Sequence, residues 1–419
     1  MRVYARVRTV MADVREIRNQ FPALSRKVYG MDLVYLDNAA TSQREQSVID
    51  LWNRISTESN ANIHRAVHRL ADEATTAYED ARDAVKDFLN AELREEIIFT
   101  SGTTASINLA AYCFGEAFVG AGDEVVVTEA EHHSNIVPWQ MMCKRKGAVL
   151  RVLPVDDDGY LMVDKLDEIL SEKTRIMAVT HISNVLGIIN PVKEIITKCH
   201  SKGVPVLVDG AQGVVHCNVD VQDLDCDFYA FSGHKLYAAT GTGVLYGKKK
   251  WLELMPPFMG GGEMVGTVTF KETTYAPLPM KFEAGTQNFA SAATLKPAIE
   301  LAKSLNNKEL IEYNDTIRDY ILSELLKDER IRLYGVPHGT NEDKIPLFSF
   351  TVMGVHHEDL ALILDKMGIA VRSGQMCAEP LMDRMGVTGM LRASFAPYNT
   401  MEEAEYFIKC LNRAIGMLV

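Results

Sequence analysis

The sequence lacks any pair of cysteines at Cys-x-x-Cys spacing, although it contains seven cysteines in 419 residues. An odd number of cysteines without a paired spacing is poor material for a disulfide framework. Disulfides are rare in reducing compartments, where free cysteines are commonly buried as small apolar residues. We therefore expect a cytoplasmic protein in which most of the cysteines are free and lie in the core.

Net positive charge and long apolar runs are also absent. The formal net charge of −12 at pH 7 argues against nucleic acid or an anionic membrane surface as a partner. No apolar stretch approaches the length that is needed to span a bilayer. The sequence therefore predicts a protein that binds neither nucleic acid nor membrane.

Common nucleotide and metal motifs are missing as well. Gly241-Thr-Gly243 has no third glycine and leads into a predicted strand, so it is not a dinucleotide fingerprint, and no phosphate loop of the Walker type occurs. His64 and His68 have helical spacing, but no glutamate follows His64, which argues against a zinc protease. We predict no metal site.

The chain instead contains short β-rich runs that alternate with helical stretches. Most of the runs lack polar alternation, as is typical of strands covered on both faces. They are Ile97–Thr100, Glu124–Thr128, Val149–Val155, Arg175–Thr180, Val204–Val208, Phe228–Phe231 and Val244–Tyr246. The pattern predicts an α/β fold with a mostly parallel, seven-stranded sheet that is flanked by helices.

The length of the chain exceeds one compact core and predicts two domains. We assign residues 31–291 to a large domain, residues 292–419 to a smaller α+β domain, and residues 1–30 to an N-terminal segment that packs with the small domain. Outside the large sheet, the patterns predict helices over 12–27, 68–90 and within 292–327, and strands over 34–37, Pro346–Met353 and Gly368–Arg372.

A lysine follows one of the predicted strands, in Asp227-Phe-Tyr-Ala-Phe-Ser-Gly-His-Lys235. Ligands of open α/β sheets bind outside the carboxyl ends of strands, where a sheltered lysine can form a Schiff base. Asp209 ends another apolar run, and a buried carboxylate there requires a cation such as a protonated pyridine nitrogen. A turn aspartate is the alternative. The 26-residue spacing from Asp209 to Lys235 fits one helical crossover to a neighbouring parallel strand.

Three further strand ends carry polar side chains. Thr103 and Thr104 follow a glycine turn and form either an ordinary helix N-cap or a phosphate cradle. His132 and His133 can belong to a metal site, to an aromatic platform for a conjugated cofactor, or to polar surface. Asn184 can bind a carboxylate or a ring oxygen. Each of these signals is weak when taken alone.

In combination, these residues resemble a known family. The matching motifs are Ser101-Gly-Thr-Thr104, Glu131-His-His-Ser-Asn135, Val208-Asp-Gly-Ala-Gln212, Ser232-Gly-His-Lys235 and Phe282-Glu-Ala-Gly-Thr-Gln287. They resemble the fold type I enzymes of pyridoxal 5′-phosphate, within these the class V aminotransferase group, and specifically the Suf-type (group II) cysteine desulfurases. The resemblance extends from Phe21 to Thr400, which is nearly the whole chain.

The resemblance implies that pyridoxal 5′-phosphate is the cofactor. Lys235 would hold it covalently, Asp209 would pair with its ring nitrogen, and His132 would stack on its ring. Gln212 would form a hydrogen bond with its phenolic oxygen. The phosphate group would be bound by Thr103, Thr104, Ser232 and His234, together with Thr286 from the other subunit of a homodimer.

The resemblance also implies a substrate site. Arg392 and Asn184 would hold the carboxylate of the substrate, Arg372 would lie at the base of the catalytic loop, and His64 would lie near the mouth of the active site. Lys235, His132 and Cys377 would be the catalytic residues.

Cys377 matches the nucleophilic cysteine of the family's short active-site loop. The implied reaction converts L-cysteine to L-alanine and leaves a persulfide on Cys377, whose sulfur passes to a Suf-type acceptor protein for iron–sulfur cluster assembly. Selenocysteine lyase, true aminotransferase and inactive scaffold are the alternatives. The chain departs from the family at Gln375 and Met376, where two histidines are usual, and at Ala105, where glutamate is common.

Overall fold

The computed structural model describes residues 14–337 and 341–419. Seven strands form the large sheet: β1 (Ile97–Thr100), β2 (Glu124–Thr128), β3 (Val149–Leu153), β4 (Thr174–Thr180), β5 (Val206–Asp209), β6 (Phe228–Ser232) and β7 (Gly243–Gly247). They are ordered β1-β7-β6-β5-β4-β2-β3. β7 is antiparallel to both of its neighbours, and the other pairs are parallel. The predicted α/β fold is confirmed.

Both faces of this sheet are covered. Alternate residues of the strands enter two separate hydrophobic clusters, so that Ile98 and Val127 pack on one face whereas Phe99 and Val126 pack on the other. This explains why the central strands read as continuous apolar runs. β3 lies at the edge of the sheet and is largely exposed.

Helices surround the sheet and are frequent in the C-terminal part of the chain. Those up to residue 293 are 14–19, Gln46–Glu58, Arg69–Leu89, Thr103–Phe118, Val137–Lys146, Leu166–Ile169, Val192–Ser201, Gly213–His216, Val221–Leu224, Lys249–Leu254 and Phe289–Ala293. Those of the C-terminal part are Leu295–Leu305, Lys308–Leu325, His357–Lys366, Glu379–Met385 and Met401–Leu418. None of the helices in the described ranges is long and apolar enough to cross a membrane.

The crossover from Asp209 to Lys235 leads to a neighbouring parallel strand, as predicted. It contains two four-residue helices, Gly213–His216 and Val221–Leu224, in place of one longer helix. Asp220 ends the first part of the crossover and caps the second helix by accepting hydrogen bonds from the backbone N–H groups of Gln222 and Asp223.

Four antiparallel strands form the sheet of the C-terminal part, in the order Ile331–Tyr334, Leu347–Val352, Met390–Ser394, Arg372–Gly374. The prediction of one strand over Gly368–Arg372 is wrong. Ile369–Ala370 pairs in parallel with Val34–Tyr35, whereas Arg372–Gly374 pairs with Met390–Ser394. The chain changes sheets at Val371, and this change directs the following loop towards the large domain.

The N-terminal segment contacts the C-terminal part of the chain. Its predicted helix over 12–27 is shorter, because helix 14–19 ends before Pro22 and a 3₁₀ turn, Pro22–Ser25, follows; residues 12 and 13 lie outside the described residues. Arg18 forms an ion pair of 2.9 Å with Glu403, and the ring of Phe21 lies 4.5 Å from that of Tyr398. The segment therefore packs against the C-terminal part of the chain, and its assignment to a small domain stays a prediction.

All seven cysteines are free, and five of them are buried. The two that are partly exposed are Cys217 and Cys377. This matches the expectation that most of the cysteines are core residues.

A buried ion pair anchors the segment that follows the β-hairpin Val265–Val268 and Thr273–Tyr275. Arg82 and Glu283 are each 1% exposed, and they are joined by hydrogen bonds of 2.7 and 2.8 Å. Glu283 also accepts hydrogen bonds from the Tyr78 hydroxyl (2.8 Å) and the Phe99 N–H (2.8 Å). The carboxylate thereby joins helix Arg69–Leu89 to β1.

We predict that Arg82→Met lowers the free energy of unfolding by roughly 3–5 kcal/mol, because it leaves the Glu283 carboxylate buried without its cation. The measurement is urea denaturation. Arg94→Met is the matched control, because Arg94 forms ion pairs of 2.9 Å with Glu79 and Asp83 while 43% exposed, and such pairs contribute about 1 kcal/mol or less. Equal losses in the two variants would contradict the prediction.

Candidate active site

The carboxyl ends of β4, β5 and β6 open into a cavity of about 230 Å³. Twelve of the fourteen site residues predicted from the sequence line it: Thr103, Thr104, His132, Asn184, Asp209, Gln212, Ser232, His234, Lys235, Arg372, Cys377 and Arg392. The fold therefore brings together residues that are separated by almost 290 positions in the chain. Thr286 and His64 lie elsewhere.

Lys235 ends a short 3₁₀ turn, Gly233–Lys235, that directly follows β6. Its side chain borders the cavity but is otherwise enclosed by protein. This burial lowers the pKa of Lys235 to about 8; Asp209 opposes the shift, and Arg392 and Arg372 reinforce it. A substantial fraction of the amine is therefore neutral near physiological pH, which is the state that attacks a carbonyl group.

Asp209 is the last residue of β5 and is 4% exposed. Its carboxylate accepts a hydrogen bond from the Ala211 N–H (3.0 Å), and burial raises its pKa. The chain turns at Gly210, where a Cβ atom would lie 1.9 Å from the Tyr229 ring. A carboxylate held so deeply at the cavity floor fits a protonated ring nitrogen as its partner.

Hydroxyl groups and a helix N-terminus line another wall of the cavity. Helix Thr103–Phe118 starts after Gly102, which provides no side-chain cap. The Thr103 and Ser232 hydroxyls lie 2.8 Å apart, and the Thr103 N–H donates to Ser232 Oγ at 2.7 Å. The Thr104 hydroxyl lies 2.7 Å from that of Ser134. Such a helix N-terminus with surrounding donors fits a phosphate group.

The imidazoles of His132 and His234 are neutral at physiological pH. Burial lowers the pKa of each to about 4, and the nearby Lys235 ammonium acts in the same direction. His132 Nδ1 accepts a hydrogen bond from the Ser134 N–H at 3.0 Å, which fixes the plane of the ring. The ring of His132 borders the cavity, as an aromatic platform for a conjugated cofactor requires.

Gln212 Nε2 donates a hydrogen bond to the carbonyl oxygen of Ala39 at 2.8 Å. This bond uses one of the two amide hydrogens, and the side chain borders the cavity. The second hydrogen is the one that fits a phenolic oxygen.

Arg392 is 1% exposed and is held on two sides. It donates to the Asn184 carbonyl oxygen at 2.7 Å and to Asp37 at 3.0 Å, whereas its buried Nε has no hydrogen-bond partner in the part of the chain that the structure describes. An unpartnered guanidinium N–H beside a cavity fits a carboxylate ligand. Asp37 follows strand Val34–Tyr35, so the strand-end pattern that identified Asp209 applies to it as well.

The loop of Cys377 joins strand Arg372–Gly374 to helix Glu379–Met385. The Met376 carbonyl accepts from Asn184 Nδ2 at 2.9 Å, and the Cys377 carbonyl accepts from the His133 N–H at 2.7 Å. The Cys377 Sγ atom lies 3.9 Å from a guanidinium nitrogen of Arg372. The thiol is therefore held at the cavity beside a permanent positive charge.

His133 has a role that the sequence did not indicate. Besides its bond to the Cys377 carbonyl, its Nε2 accepts a hydrogen bond from the Glu379 N–H at 3.0 Å. One histidine of the adjacent pair thus borders the cavity while the other fixes the catalytic loop. No sequence signal marks this division, because the loop contacts come from a segment about 245 residues away.

His64 and Thr286 do not line the cavity of this chain. His64 Nε2 lies 2.9 Å from Glu79, and its ring packs edge-on against Tyr78. Thr286 is exposed and follows the buried Glu283. The assignment of both residues to the active site therefore stays a prediction, and that of Thr286 requires a second subunit.

Comparisons with known proteins agree with this geometry. Residues 34–407 match the family described as aminotransferase class V. A cysteine desulfurase of Cronobacter sakazakii is 46% identical over 97% of this chain and 99% of its own length. A crystal structure titled cysteine desulfurase CsdA (S-sulfonic acid), from Escherichia coli, has a TM-score of 0.89 at 41% identity and covers 97% of this chain and 99% of that one.

A third protein, titled apo cysteine desulfurase from Thermococcus onnurineus NA1, has a TM-score of 0.90 at 34% identity, and the match covers 96% of this chain and 98% of that one. Identity at this level over whole chains extends beyond a shared fold. The chain therefore belongs to the class V aminotransferase family and is one of its pyridoxal-phosphate-dependent cysteine desulfurases.

Proposed function

We propose that the enzyme converts L-cysteine to L-alanine and collects the sulfur as a persulfide on Cys377. One observation carries this proposal: Cys377, Lys235 and Arg392 all border a single cavity. A thiol, an amine of lowered pKa and a buried guanidinium with a free N–H are the three groups that this reaction requires.

When it is bound, pyridoxal phosphate supplies an electron sink that makes the α-proton of an amino acid acidic. Lys235 would hold it, and Asp209 would keep its ring nitrogen protonated. His132 would pack against the ring, Gln212 would donate to the phenolic oxygen, and the phosphate would lie at the start of helix Thr103–Phe118. The phosphate donors would be Thr103, Thr104, Ser232 and His234 of one subunit and Thr286 of the other.

Different residues of the chain would then carry out the separate steps of the reaction. Arg392 and Asn184 bind the substrate carboxylate, and the Lys235 amine takes up the α-proton and returns a proton to Cα before alanine leaves. The Cys377 thiolate attacks the substrate sulfur, so that an S–S bond forms as the Cβ–S bond breaks. The electron pair of the broken bond remains with Cβ, which gains a proton, and alanine leaves. No external oxidant or reductant is required.

We further propose that this is a Suf-type enzyme that passes its sulfur to an acceptor protein for iron–sulfur cluster assembly. The short connection of residues 375–378 between strand and helix supports this subtype, because it keeps the thiol at the cavity. An acceptor thiol must therefore approach the cavity mouth. The exposed position of Thr286 outside its own cavity supports a homodimer, and the seven free cysteines support a cytoplasmic location.

We predict that Cys377→Ser abolishes persulfide formation and lowers the rate of alanine formation from L-cysteine by roughly two orders of magnitude or more, because the sulfur-accepting nucleophile is removed. Mass spectrometry of the Cys377 peptide after addition of L-cysteine measures the extra sulfur. The cofactor absorbance should remain.

Cys217→Ser is the matched control, because Cys217 is the other partly exposed cysteine and does not border the cavity. Unchanged alanine production by Cys377→Ser would refute the proposed mechanism. Loss of cysteine turnover with normal selenocysteine turnover would favour a selenocysteine lyase.

A second prediction concerns the pH dependence of cofactor attachment. Because burial lowers the pKa of Lys235 to about 8, the fraction of neutral amine rises as pH increases through 8. The rate at which the cofactor-free enzyme regains the absorbance of bound pyridoxal phosphate should therefore rise with a midpoint near pH 8 and then level off.

Lys235→Ala should never acquire this absorbance. A midpoint near pH 10.5, the ordinary value for lysine, would show that the amine is not sheltered as the structure indicates.

A further inference from the structure

Four consecutive backbone carbonyls of the large domain, in segment Asn184–Gly187, accept hydrogen bonds from the small domain. The Asn184 carbonyl accepts from Arg392 (2.7 Å), and the Val185 carbonyl accepts from the Ser349 hydroxyl. The Leu186 carbonyl accepts from Lys344 Nζ (2.6 Å), and the Gly187 carbonyl accepts from the Ile345 N–H (2.9 Å). The segment is therefore held along its length.

Lys344 is the most unusual of these donors. It is 1% exposed, and it does not border the active-site cavity. Its Nζ lies 5.7 Å from the centre of the Phe348 ring. Burial lowers its pKa to about 7, with Arg318 acting in the same direction and Asp343 against it. Burying an amine costs free energy, and an apolar side chain such as that of phenylalanine would fill the same space at a lower cost in free energy.

The contacts of the Lys344 amine explain why a lysine is buried at this position. Leu186 lies two residues beyond Asn184, whose side chain donates to the Met376 carbonyl at 2.9 Å. Met376 immediately precedes Cys377. A chain of direct contacts thus leads from Lys344 through the Asn184–Gly187 segment to the loop of the nucleophile.

The turn itself is adapted to this arrangement. Gly187 has a φ of +69°, and a Cβ atom there would lie 3.1 Å from the Leu347 carbonyl oxygen. On the inner side, the Ser183 hydroxyl accepts from the N–H of Leu186 at 3.1 Å. The small domain can therefore approach the backbone closely, and the carbonyls point outwards to meet it.

We propose that Lys344, supported by Ser349, is a positioning residue that holds the Asn184–Gly187 segment so that Asn184 and the Cys377 loop take their working positions. The expected effect on turnover rests on the proposed function. The coupling between the Lys344 contact and the order of the Cys377 loop does not, and it can be tested without measuring activity.

The test uses the cofactor-loaded, full-length Lys344→Met enzyme, because methionine has a similar length but cannot donate a hydrogen bond. Leaving the buried Leu186 carbonyl without its hydrogen-bond donor corresponds to an effect of about tenfold. We expect KM for L-cysteine to rise about tenfold with a smaller change in kcat, and amide hydrogen exchange in segments 183–189 and 375–379 to become faster by a similar factor.

Lys344→Arg should restore much of the protection, because arginine keeps N–H donors at this position. Lys303→Met is the matched control, because Lys303 is an exposed lysine that borders the same cavity of about 420 Å³ as Lys344. It should leave both readouts unchanged, and all three variants should keep the cofactor absorbance.

Unchanged exchange in segment 375–379 of Lys344→Met would overturn the inference, and so would faster exchange without any change in KM. If Lys344→Met does not fold, Ser349→Ala removes the neighbouring bond and must give the same pattern more weakly. Failure of the wild-type enzyme to form alanine from L-cysteine would refute the proposed function instead, and the exchange result would still decide the coupling.

Discussion

Two hydrogen bonds to backbone carbonyls join the Cys377 loop to the segments that follow β2 and β4, and the arrangement of the active site depends on them. His133 donates to the Cys377 carbonyl, and Asn184 donates to the Met376 carbonyl. Met376 and Cys377 have φ values of +55° and +56°, a left-handed backbone that costs non-glycine residues about 1–3 kcal/mol each. Single hydrogen bonds contribute about 1 kcal/mol each, so several contacts must act together to hold the loop.

The charged side chains of the cavity also determine which ligands it can bind. Lys235, Arg372 and Arg392 are positive, and Asp209 and Asp37 are the carboxylates opposite them. Because the two histidines of the cavity are neutral, the positive charge comes from groups whose positions are fixed by the fold. Such a site attracts anionic ligands, and the buried Asp209 carboxylate marks the point where a positively charged part of a ligand fits, whereas Asp37 is already paired with Arg392.

The sequence predicted the large sheet well, because its strands are buried on both faces and their apolar runs are strong local signals. It failed where pairing partners decide the structure. The run from Gly368 to Arg372 reads as one strand, but its two halves pair with different sheets. The helix-rich stretch 292–327, by contrast, does contain helices, which are separated at Asn306 and Asn307, and Asn307 caps the second helix with its side chain.

The residues of the active site show the same difference between local signals and long-range contacts. Asp209 and Lys235 end apolar strands and could be identified from the local sequence, whereas His133, Ser349 and Lys344 act only through contacts with distant segments. Hydrogen bonds to a backbone carbonyl depend on the position of that carbonyl and not on the residue that carries it, so the acceptor leaves no trace in the sequence. Lys344 in particular reads as an ordinary surface lysine until the fold buries it.

The two positions before Cys377 show how this active site differs in chemistry from the resembled family. Met376 is 3% exposed and belongs to the hydrophobic core, and Gln375 donates to Glu379 at 3.1 Å. Neither side chain can accept a proton from the thiol. Arg372 places a guanidinium nitrogen 3.9 Å from Cys377 Sγ, but a guanidinium is a donor and not a base. In the proposed reaction, a base for Cys377 therefore has to come from outside the two residues that precede it, and the neutral imidazole of His132 borders the same cavity.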